Sequence, residues 1–590
     1  MKKTPILIAL MALIPMVLVA QTATETTQTK TSVPLPQIKQ NGAVKQMFVD
    51  GKPFIMLSGE LHNSSASSIE YMKPIWDKLA SMHLNSVVST VNWELLEPEE
   101  GKFNFDLVDA QIQEARKRNI RLVIIWFASW KNGGSNYAPM WIKTNPQRFP
   151  VQVRKATTTG ISRDGDRTAP LTPLGETTMQ SEAKAFRVLM RHIKEVDPQH
   201  TVIMMQIDNE MGLLGDSRDR SPLAEAAWKK TVPSELMNYF IRNKANLLPE
   251  MQEVWGRNGY KTSGSWSEVF GTDEWADEVF MAWYYSRFIN KVIEEGKAEL
   301  NIPMYVNAWL GPQPGQLLPG DYPSGGPVAR VMDVWRAGAP ANDLLAPDIY
   351  VQDFKGVLAE YTRSGNPLWI PEARDQVGNL FWALGHHSAL GWAIFGIDDL
   401  NENSQVAKAY GLLSEMLPQL SGWQAAGKVA SILLLDGEEN QVISSGGYKV
   451  TITKPRQRGP APVTTTAKAT GTSAGTAQVQ GGQAAATPVP APLGPGGISS
   501  VGRAMPEDTR AFGLVINTAP DEFLFIGSGF SPVFSADPPE SGKVAIGWID
   551  EGRYINGNWV PGRRLNGDEG RPSLRSGAIT MLKIKVFKYK

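Results

Sequence analysis

Two glutamates follow apolar runs at separate points of the chain. Glu210 ends the segment 206–210 (QIDNE), and Glu372 lies within the segment 370–374 (IPEAR). Each segment continues an apolar run that is typical of a buried strand in a parallel sheet. Two carboxyl groups that face each other can act as general acid/base and nucleophile, the pair that glycoside hydrolysis uses. The sequence therefore predicts paired-carboxylate chemistry, provided that the fold brings the two glutamates together.

The elements that must position these glutamates begin near residue 45. From there, apolar β-branched or aromatic runs alternate with segments of helical period, which indicates a parallel α/β fold. The strand candidates are Phe54–Ser58, Ser86–Val91, Leu122–Phe127, Val202–Ile207, Met304–Ala308, Leu344–Tyr350, Leu368–Pro371 and Gly391–Gly396. Helices are predicted at 67–82, 106–119, 179–196, 277–300 and 404–420. The pattern predicts a TIM (β/α)8 barrel at 45–424, in which Glu210 and Glu372 follow strands four and seven and face across the mouth.

The character of the chain changes after the barrel. The 590 residues are too many for one ordinary domain. Short strand candidates separated by glycine-rich turns predict a smaller all-β, sandwich-like domain at 425–590. A stretch at about 455–499 holds Pro, Thr, Ala, Gly and Gln with almost no large apolar residue, and we interpret it as a disordered insertion.

The N-terminus has the pattern of a secretory signal. Lys2 and Lys3 precede the apolar run 6–20, which is short for a membrane span. We therefore expect a signal peptide at 1–20, with an uncleaved anchor as the alternative, and a flexible Thr-rich tether at 21–44. The chain holds no cysteine, which excludes disulfides and thiolate chemistry. An exported protein of this kind fits the bacterial periplasm or exterior.

Composition narrows the function classes further. The formal net charge is zero, so nothing favours nucleic acid or an anionic membrane as a partner. His386 and His387 are adjacent and point to different faces, which disfavours chelation of one ion. No metal site, no cofactor and no membrane contact beyond the signal segment are predicted, and the expected partner is a carbohydrate. The oligomeric state is left open.

Three aromatic residues lie at or near the ends of later strands. Trp309 follows strand five, Tyr350 ends strand six and Trp392 lies in strand eight. Aromatic rings offer apolar faces on which the C–H faces of sugars stack. We expect Trp309 and Trp392 to be stacking residues and Tyr350 to hydrogen-bond the nucleophile, with packing in the barrel core as the alternative for each.

Three motifs carry a resemblance to known enzymes. The segment 206–212 (QIDNEMG) resembles the pattern Q-[IV]-E-N-E-Y-G, and 93–105 (WELLEPEEGKFNF) resembles W-N-x-H-E-P-x-x-G-x-F-x-F. The segment 58–63 (SGELHN) resembles S-G-x-x-H-Y. Together they are similar to the retaining (β/α)8 glycosidases, and within that clan to the family 35 and family 42 β-galactosidases.

The resemblance implies a role for each matching residue. It assigns Glu210 as acid/base and Glu372 as nucleophile, Asn209 to the sugar 2-hydroxyl and Glu97 to another sugar hydroxyl. The remaining substrate-binding residues that it suggests are Glu60, His62, Asn63 and Trp93. The chain departs from the family wording at Asn63, Glu94, Leu96 and Asp208. These departures fall on sugar-contacting loops and leave the sugar itself open.

The resemblance, together with the signal pattern, implies an exported, retaining exo-glycosidase that removes terminal β-linked galactose. One alternative in the same class is a β-glycosidase acting on glucosides, mannosides or xylosides of cell-wall glycans. An alternative of another class is a barrel that binds glycan without cleaving it. Retention of both glutamates and of Asn209 argues against the binding barrel.

Overall fold

A computed structural model describes Met1 and residues 33–155, 169–455 and 506–590. The predicted signal segment 1–20 lies outside the described residues, apart from Met1. So does nearly all of the predicted insertion at 455–499. Within the described ranges, no helix is both long and apolar enough to cross a membrane.

Strands and helices alternate over the barrel, and the described residues after it form mainly strands. The strands are β1 (Gln37–Asn41), β2 (Val44–Val49), β3 (Lys52–Pro53), β4 (Met56–Leu57), β5 (Ser86–Asn92), β6 (Arg121–Lys131), β7 (Val202–Asn209), β8 (Met304–Trp309), β9 (Leu344–Ile349), β10 (Glu372–Ala373), β11 (Gly391–Trp392), β12 (Val429–Leu434), β13 (Asn440–Ser445), β14 (Tyr448–Thr453), β15 (Ala511–Ala519), β16 (Glu522–Ser528), β17 (Ser531–Ala536), β18 (Lys543–Ile555), β19 (Asn558–Leu565) and β20 (Thr580–Tyr589).

The helices fall between Ile69 and Ala425. They are α1 (Ile69–Ser81), α2 (Trp93–Leu96), α3 (Asp106–Lys117), α4 (Met140–Lys143), α5 (Glu176–Val196), α6 (Pro222–Trp228), α7 (Ser234–Arg242), α8 (Pro249–Gly256), α9 (Trp266–Phe270), α10 (Glu274–Glu299), α11 (Met332–Gly338), α12 (Phe354–Tyr361), α13 (Val377–His386), α14 (Gln405–Ser414) and α15 (Leu417–Ala425).

The predicted barrel is confirmed. Six parallel strands form one curved sheet in the order β10-β9-β8-β7-β6-β5, and β11 pairs in parallel with β4. Single bridges join the two groups: Glu60 pairs with Val88 and Phe395, and Ile370 pairs with Trp392. The strands are buried on both faces because side chains fill the barrel interior on one side and helices cover the other.

A small antiparallel sheet, β1-β2-β3, covers the amino-terminal end of the barrel. Met47 and Val49 of β2 belong to the same buried cluster as Val123, Ile203 and Leu344, which start barrel strands. The predicted tether at 21–44 is therefore wrong in its last part, since β1 lies within it. The side chains of β1 are mostly exposed, so its polar composition conceals a strand that is held by backbone pairing with β2.

The loop after Glu210 is enlarged and contains α6 to α9. Buried ion pairs anchor its start to α10. Arg218 Nε lies 3.0 Å from Asp277 Oδ1, and Arg220 Nη2 lies 2.7 Å from Asp277 Oδ2 and 3.0 Å from Asp216 Oδ1. Charges taken out of water are tolerated when they are paired in this way. The wall that this loop forms is therefore fixed at the end next to Glu210.

The C-terminal all-β region is also confirmed. Its strands form a six-stranded sheet, β12-β15-β16-β20-β18-β19, and a three-stranded sheet, β13-β14-β17, which share one apolar cluster. This domain packs against α13, the helix that follows Glu372. Asp508 Oδ2 accepts a 2.8 Å hydrogen bond from the Gly378 amide, and Arg510 Nη2 donates to Asn379 Oδ1 over 3.0 Å.

Candidate active site

Five barrel strands place charged side chains at one mouth. Glu60 follows β4, Lys131 ends β6, Glu210 follows β7, Asp348 lies near the end of β9 and Glu372 begins β10. One carboxylate oxygen each from Glu210, Asp348 and Glu372 lie within 4.8 Å of one another. Carboxyl ends of parallel strands meet at the same rim, which explains why residues so far apart in sequence converge.

Glu210 is buried in a position that favours its protonated form. Its backbone has a φ of 44° and its amide donates a 3.0 Å hydrogen bond to Asn307 Oδ1. Burial, followed by the neighbouring Glu372 carboxylate, raises the pKa of Glu210 to about 7, although Lys131 and a hydrogen bond with Asp348 oppose the shift. A carboxyl with this pKa can donate a proton near neutral pH.

Glu372 has two hydrogen-bond donors instead. Tyr350 Oη donates to Glu372 Oε2 over 2.7 Å, the contact that the sequence predicted, and Asn209 Nδ2 donates to Oε1 over 3.2 Å. Donors of this kind compensate a carboxylate charge that has lost its water. The surroundings of Glu210 and Glu372 therefore differ in the way that an acid and a nucleophile require.

Lys131 is a residue of the site that sequence reasoning missed. Its ammonium donates to Asn209 Oδ1 over 2.7 Å, within a buried environment. Burial alone would lower the pKa of Lys131, but the carboxylates of Glu372, Glu210 and Glu60 outweigh it, and the pKa is raised. A fixed positive charge among the carboxyls disfavours a bound cation there. The signal was present in the sequence, since Lys131 ends the apolar run of strand three.

Glu60 is buried, and neither of its carboxylate oxygens accepts a hydrogen bond among the described residues. Burial raises the pKa of Glu60 well above its ordinary value, and the nearby Glu372 and Glu210 add to the shift while Lys131 opposes it. An unpartnered buried carboxyl is costly. Two free acceptor sites beside the reacting pair could be satisfied by sugar hydroxyls.

Trp93 and Glu97 are paired with each other rather than with the carboxyl cluster. Trp93 Nε1 donates to Glu97 Oε2 over 2.7 Å, and the Gly101 amide donates to Glu97 Oε1 over 2.7 Å. Both residues are buried, and Trp141 packs edge-on against Trp93. The sugar contacts assigned to Trp93 and Glu97 are thus not supported, because the loop itself occupies their polar atoms.

We expect Glu97→Gln to destabilise the fold by about 1–3 kcal/mol, the effect of disrupting hydrogen bonds to a charged acceptor, with the KM for a glycoside unchanged. Urea unfolding and initial rates would measure the two effects. Glu99→Gln is the matched control, because Glu99 is exposed and, within the described part of the chain, forms its ion pair with Lys102 at the surface. A higher KM at unchanged stability would return Glu97 to sugar binding.

His62 and Asn63 lie on the rim beside the cluster. His62 Nε2 lies 2.9 Å from Asp399 Oδ2, and its ring packs edge-on against Phe395 at 5.3 Å between centroids. The Asn63 carbonyl accepts from Thr90 Oγ1 over 3.3 Å, and its buried Oδ1 has no partner within the described chain. Neither residue contacts the reacting glutamates, so their predicted binding roles would need a sugar that reaches the rim.

Trp309 and Trp392 have different surroundings. Trp309 is partly exposed at the mouth, where Nε1 donates to Gln316 Oε1 over 3.0 Å. Trp392 is fully buried among residues packed between the strands and the helices, and the Tyr410 hydroxyl of α14 bonds its carbonyl. The predicted stacking role of Trp392 is therefore corrected: its ring packs in the protein core. Phe395, which lies three residues after β11, is the aromatic residue that pairs with Glu60.

Comparisons with known proteins relate parts of the chain to two protein families. Residues 66–291 match a family model described as beta-galactosidase (glycoside hydrolase family 42), and residues 406–575 match one described as a domain of unknown function, DUF5597. A Xanthomonas manihotis beta-galactosidase is 28% identical over 180 residues, which is 29% of this chain and 26% of that protein. The Mus musculus beta-galactosidase-1-like protein is 34% identical over 113 residues, or 17% of this chain and 16% of that protein.

The chain thus spans about a quarter or less of the length of these curated relatives. Among solved structures, a beta-galactosidase from Rahnella sp. R3 aligns over 66% of this chain and 58% of its own, with a TM-score of 0.40 and 16% identity. The barrel of this chain is related to the family 42 β-galactosidases, a family of (β/α)8 glycoside hydrolases.

Proposed function

We propose that the protein is a retaining exo-β-galactosidase. The observation that carries the proposal is the approach of the Glu210 and Glu372 carboxyl oxygens to within 4.8 Å across the barrel mouth. Retaining glycosidases hold their two carboxyl groups about 5–5.5 Å apart, whereas inverting ones need about 6.5–9.5 Å for a water molecule. The unequal surroundings of the two glutamates support the same assignment.

In the proposed mechanism, Glu372 attacks the anomeric carbon while Glu210 gives its proton to the leaving oxygen. The glycosidic bond breaks and a glycosyl ester on Glu372 forms. Glu210, now ionised, removes a proton from water, and the resulting hydroxide displaces Glu372 with net retention of configuration. Asn209 and Lys131 would orient the sugar, because their hydrogen bond fixes the Asn209 amide next to Glu372.

Initial rates on aryl β-galactoside, glucoside, mannoside and xyloside would test the sugar specificity. Preference for the galactoside supports the proposal, and preference for another sugar retains the mechanism but changes the substrate. Release of single sugars from the non-reducing end of a defined oligosaccharide would support exo-action. Binding of the oligosaccharide without cleavage would favour the glycan-binding barrel.

We expect kcat/KM to fall as the pH rises through about 7. Glu210 must carry a proton to protonate the leaving oxygen, and burial and Glu372 raise the pKa of Glu210 to about 7, so activity is present below that pH and lost above it. A profile of kcat/KM against pH for an alkyl β-galactoside would measure this loss of activity, which we call the basic limb of the profile. A profile that stays flat well above neutral pH would contradict the assignment.

Export is a second part of the proposal. Its support is the sequence alone, namely Lys2, Lys3 and the apolar run 6–20. Cell fractionation with N-terminal sequencing of the mature chain would test it. Recovery in the cytoplasm with an intact N-terminus would refute it.

A further inference from the structure

Asp348 is a third carboxyl group in the site, and a mechanism with two carboxylates gives it no role. It lies near the end of β9, is only 2% exposed, and has one oxygen within 4.8 Å of both Glu210 and Glu372. A buried carboxyl beside two others is destabilising unless a proton or a counter-charge compensates it. Its presence therefore requires an explanation.

Asn307 fixes Asp348 and Glu210 relative to each other. Asn307 Nδ2 donates to Asp348 Oδ2 over 2.6 Å, and Asn307 Oδ1 accepts from the Glu210 amide over 3.0 Å. Asp348 Oδ1 has no hydrogen-bond partner among the described residues, and one Asp348 carboxyl oxygen lies within 4.8 Å of a Glu210 carboxyl oxygen. Two carboxyl groups so close together can be joined by a hydrogen bond only if one of them carries a proton.

The charged and titratable groups around Asp348 indicate which form it takes. They come from other barrel strands, from the end of β9 itself and from α12: Glu60, Lys131, Tyr305, Tyr350, Tyr361 and Glu372. One ammonium faces several carboxyls, so most of the acids must be neutral. Burial raises the pKa of Asp348 well above its ordinary value, and Glu372 and Glu210 raise it further.

We propose that Asp348 is a positioning residue that stays protonated and donates a hydrogen bond to the Glu210 carboxylate in the second half of the reaction. The inference rests on the proposed function of Glu210. When Glu210 has given its proton to the leaving oxygen, its buried carboxylate has lost water and needs a donor. The Asp348 O–H supplies that donor without moving, because Asn307 already holds its other oxygen. The proton of this hydrogen bond stays on Asp348, and none is transferred between the two residues.

Two variants of similar size test this. Asp348→Asn retains a donor towards Glu210 and an acceptor for Asn307, whereas Asp348→Leu removes both. In Asp348→Asn the basic limb of kcat/KM should remain where it is in the wild type. In Asp348→Leu it should move up by about one pH unit, since the ionised form of Glu210 has lost a donor. If the basic limb of Asp348→Asn lies at lower pH than in the wild type, Asp348 is ionised in the wild type. If the basic limb of Asp348→Leu lies at the wild-type pH, Asp348 does not act on Glu210. Either result overturns the proposal.

A second measurement separates this inference from the proposed function. Titration of 13C-glutamate-labelled protein by NMR, with the Glu210 signal identified by its loss in Glu210→Gln, follows the same ionisation without a substrate. The expected shifts in a protein that hydrolyses no glycoside would support the carboxyl pair and refute the proposed function. If hydrolysis depends on Glu210 but the Glu210 titration is the same in the wild type and both Asp348 variants, the proposed function is supported and the carboxyl pair is refuted. If Asp348→Leu does not fold, Asp348→Ala, which also lacks a donor towards Glu210, takes its place in the same comparison with Asp348→Asn.

Discussion

Replacement of Glu372 by alanine is expected to abolish hydrolysis of aryl β-galactosides. The variant lacks the atom that forms the covalent bond, and loss of a nucleophile lowers kcat on the order of 10³- to 10⁶-fold. Tyr350 and Asn209 would lose their acceptor, but neither residue depends on Glu372 for its place in a strand. Steady-state rates and a thermal unfolding curve would show a folded, inactive protein.

Azide gives this experiment a chemical control. In Glu372→Ala the anion can occupy the space of the missing carboxylate and attack an activated galactoside, which expels its aryl oxide and yields the α-galactosyl azide. Glu402→Ala is the matched substitution, because Glu402 is an exposed glutamate in the loop after strand eight, and it should behave as the wild type. Substantial activity in Glu372→Ala without azide would remove Glu372 from the role of nucleophile.

Replacement of Glu210 by alanine should depend strongly on the leaving group. An alkyl galactoside needs a proton on its departing oxygen, so its kcat/KM should fall by about 10²- to 10⁴-fold. A dinitrophenyl galactoside has a leaving group that departs as an anion, so formation of the glycosyl ester should be nearly unaffected. Its breakdown should be slow, because no base remains to activate water. Burst kinetics would measure the two steps separately.

The same anion distinguishes the two glutamates. In Glu210→Ala, azide needs no general base and should attack the glycosyl ester from the face that water uses, which releases Glu372 and gives the β-galactosyl azide. The α product from one variant and the β product from the other would assign both roles at once. Equal losses for all leaving groups in Glu210→Ala would contradict its role as the acid.

Much of the barrel was predictable because its strands are buried on both faces. The run at 202–207 predicts β7 to within two residues, and the following glutamate then lies at the rim. Proline explains where the elements differ from the prediction. Pro371 has no N–H to donate, and β10 is only two residues long beside it. The helix predicted at 404–420 is two helices, α14 and α15, with Pro418 in the first turn of the second.

The composition of the site was less predictable than its location. Lys131, Asn307 and Asp348 each lie in or at the end of a strand, yet their convergence becomes evident only when the register of the ring is known. The side-chain direction of Trp392 could not be predicted from the alternation of side chains along a strand. Leu390 and Ala393, three residues apart, both belong to the buried cluster of the barrel interior, while Trp392 between them packs on the outer side. An irregular ladder thus reverses the side-chain direction that a period of two predicts.

The sheet β1-β2-β3 has a consequence for the order of events in the proposed reaction. Because Met47 and Val49 fill the amino-terminal end of the barrel, leaving sugar and incoming water share the entrance at the opposite rim. Water can reach the glycosyl ester only after the leaving sugar has vacated that entrance. A second sugar that binds there first would accept the galactosyl group in place of water. Because the amino-terminal end of the barrel is closed, the glycan concentration in solution determines whether the glycosyl ester reacts with water or with a second sugar.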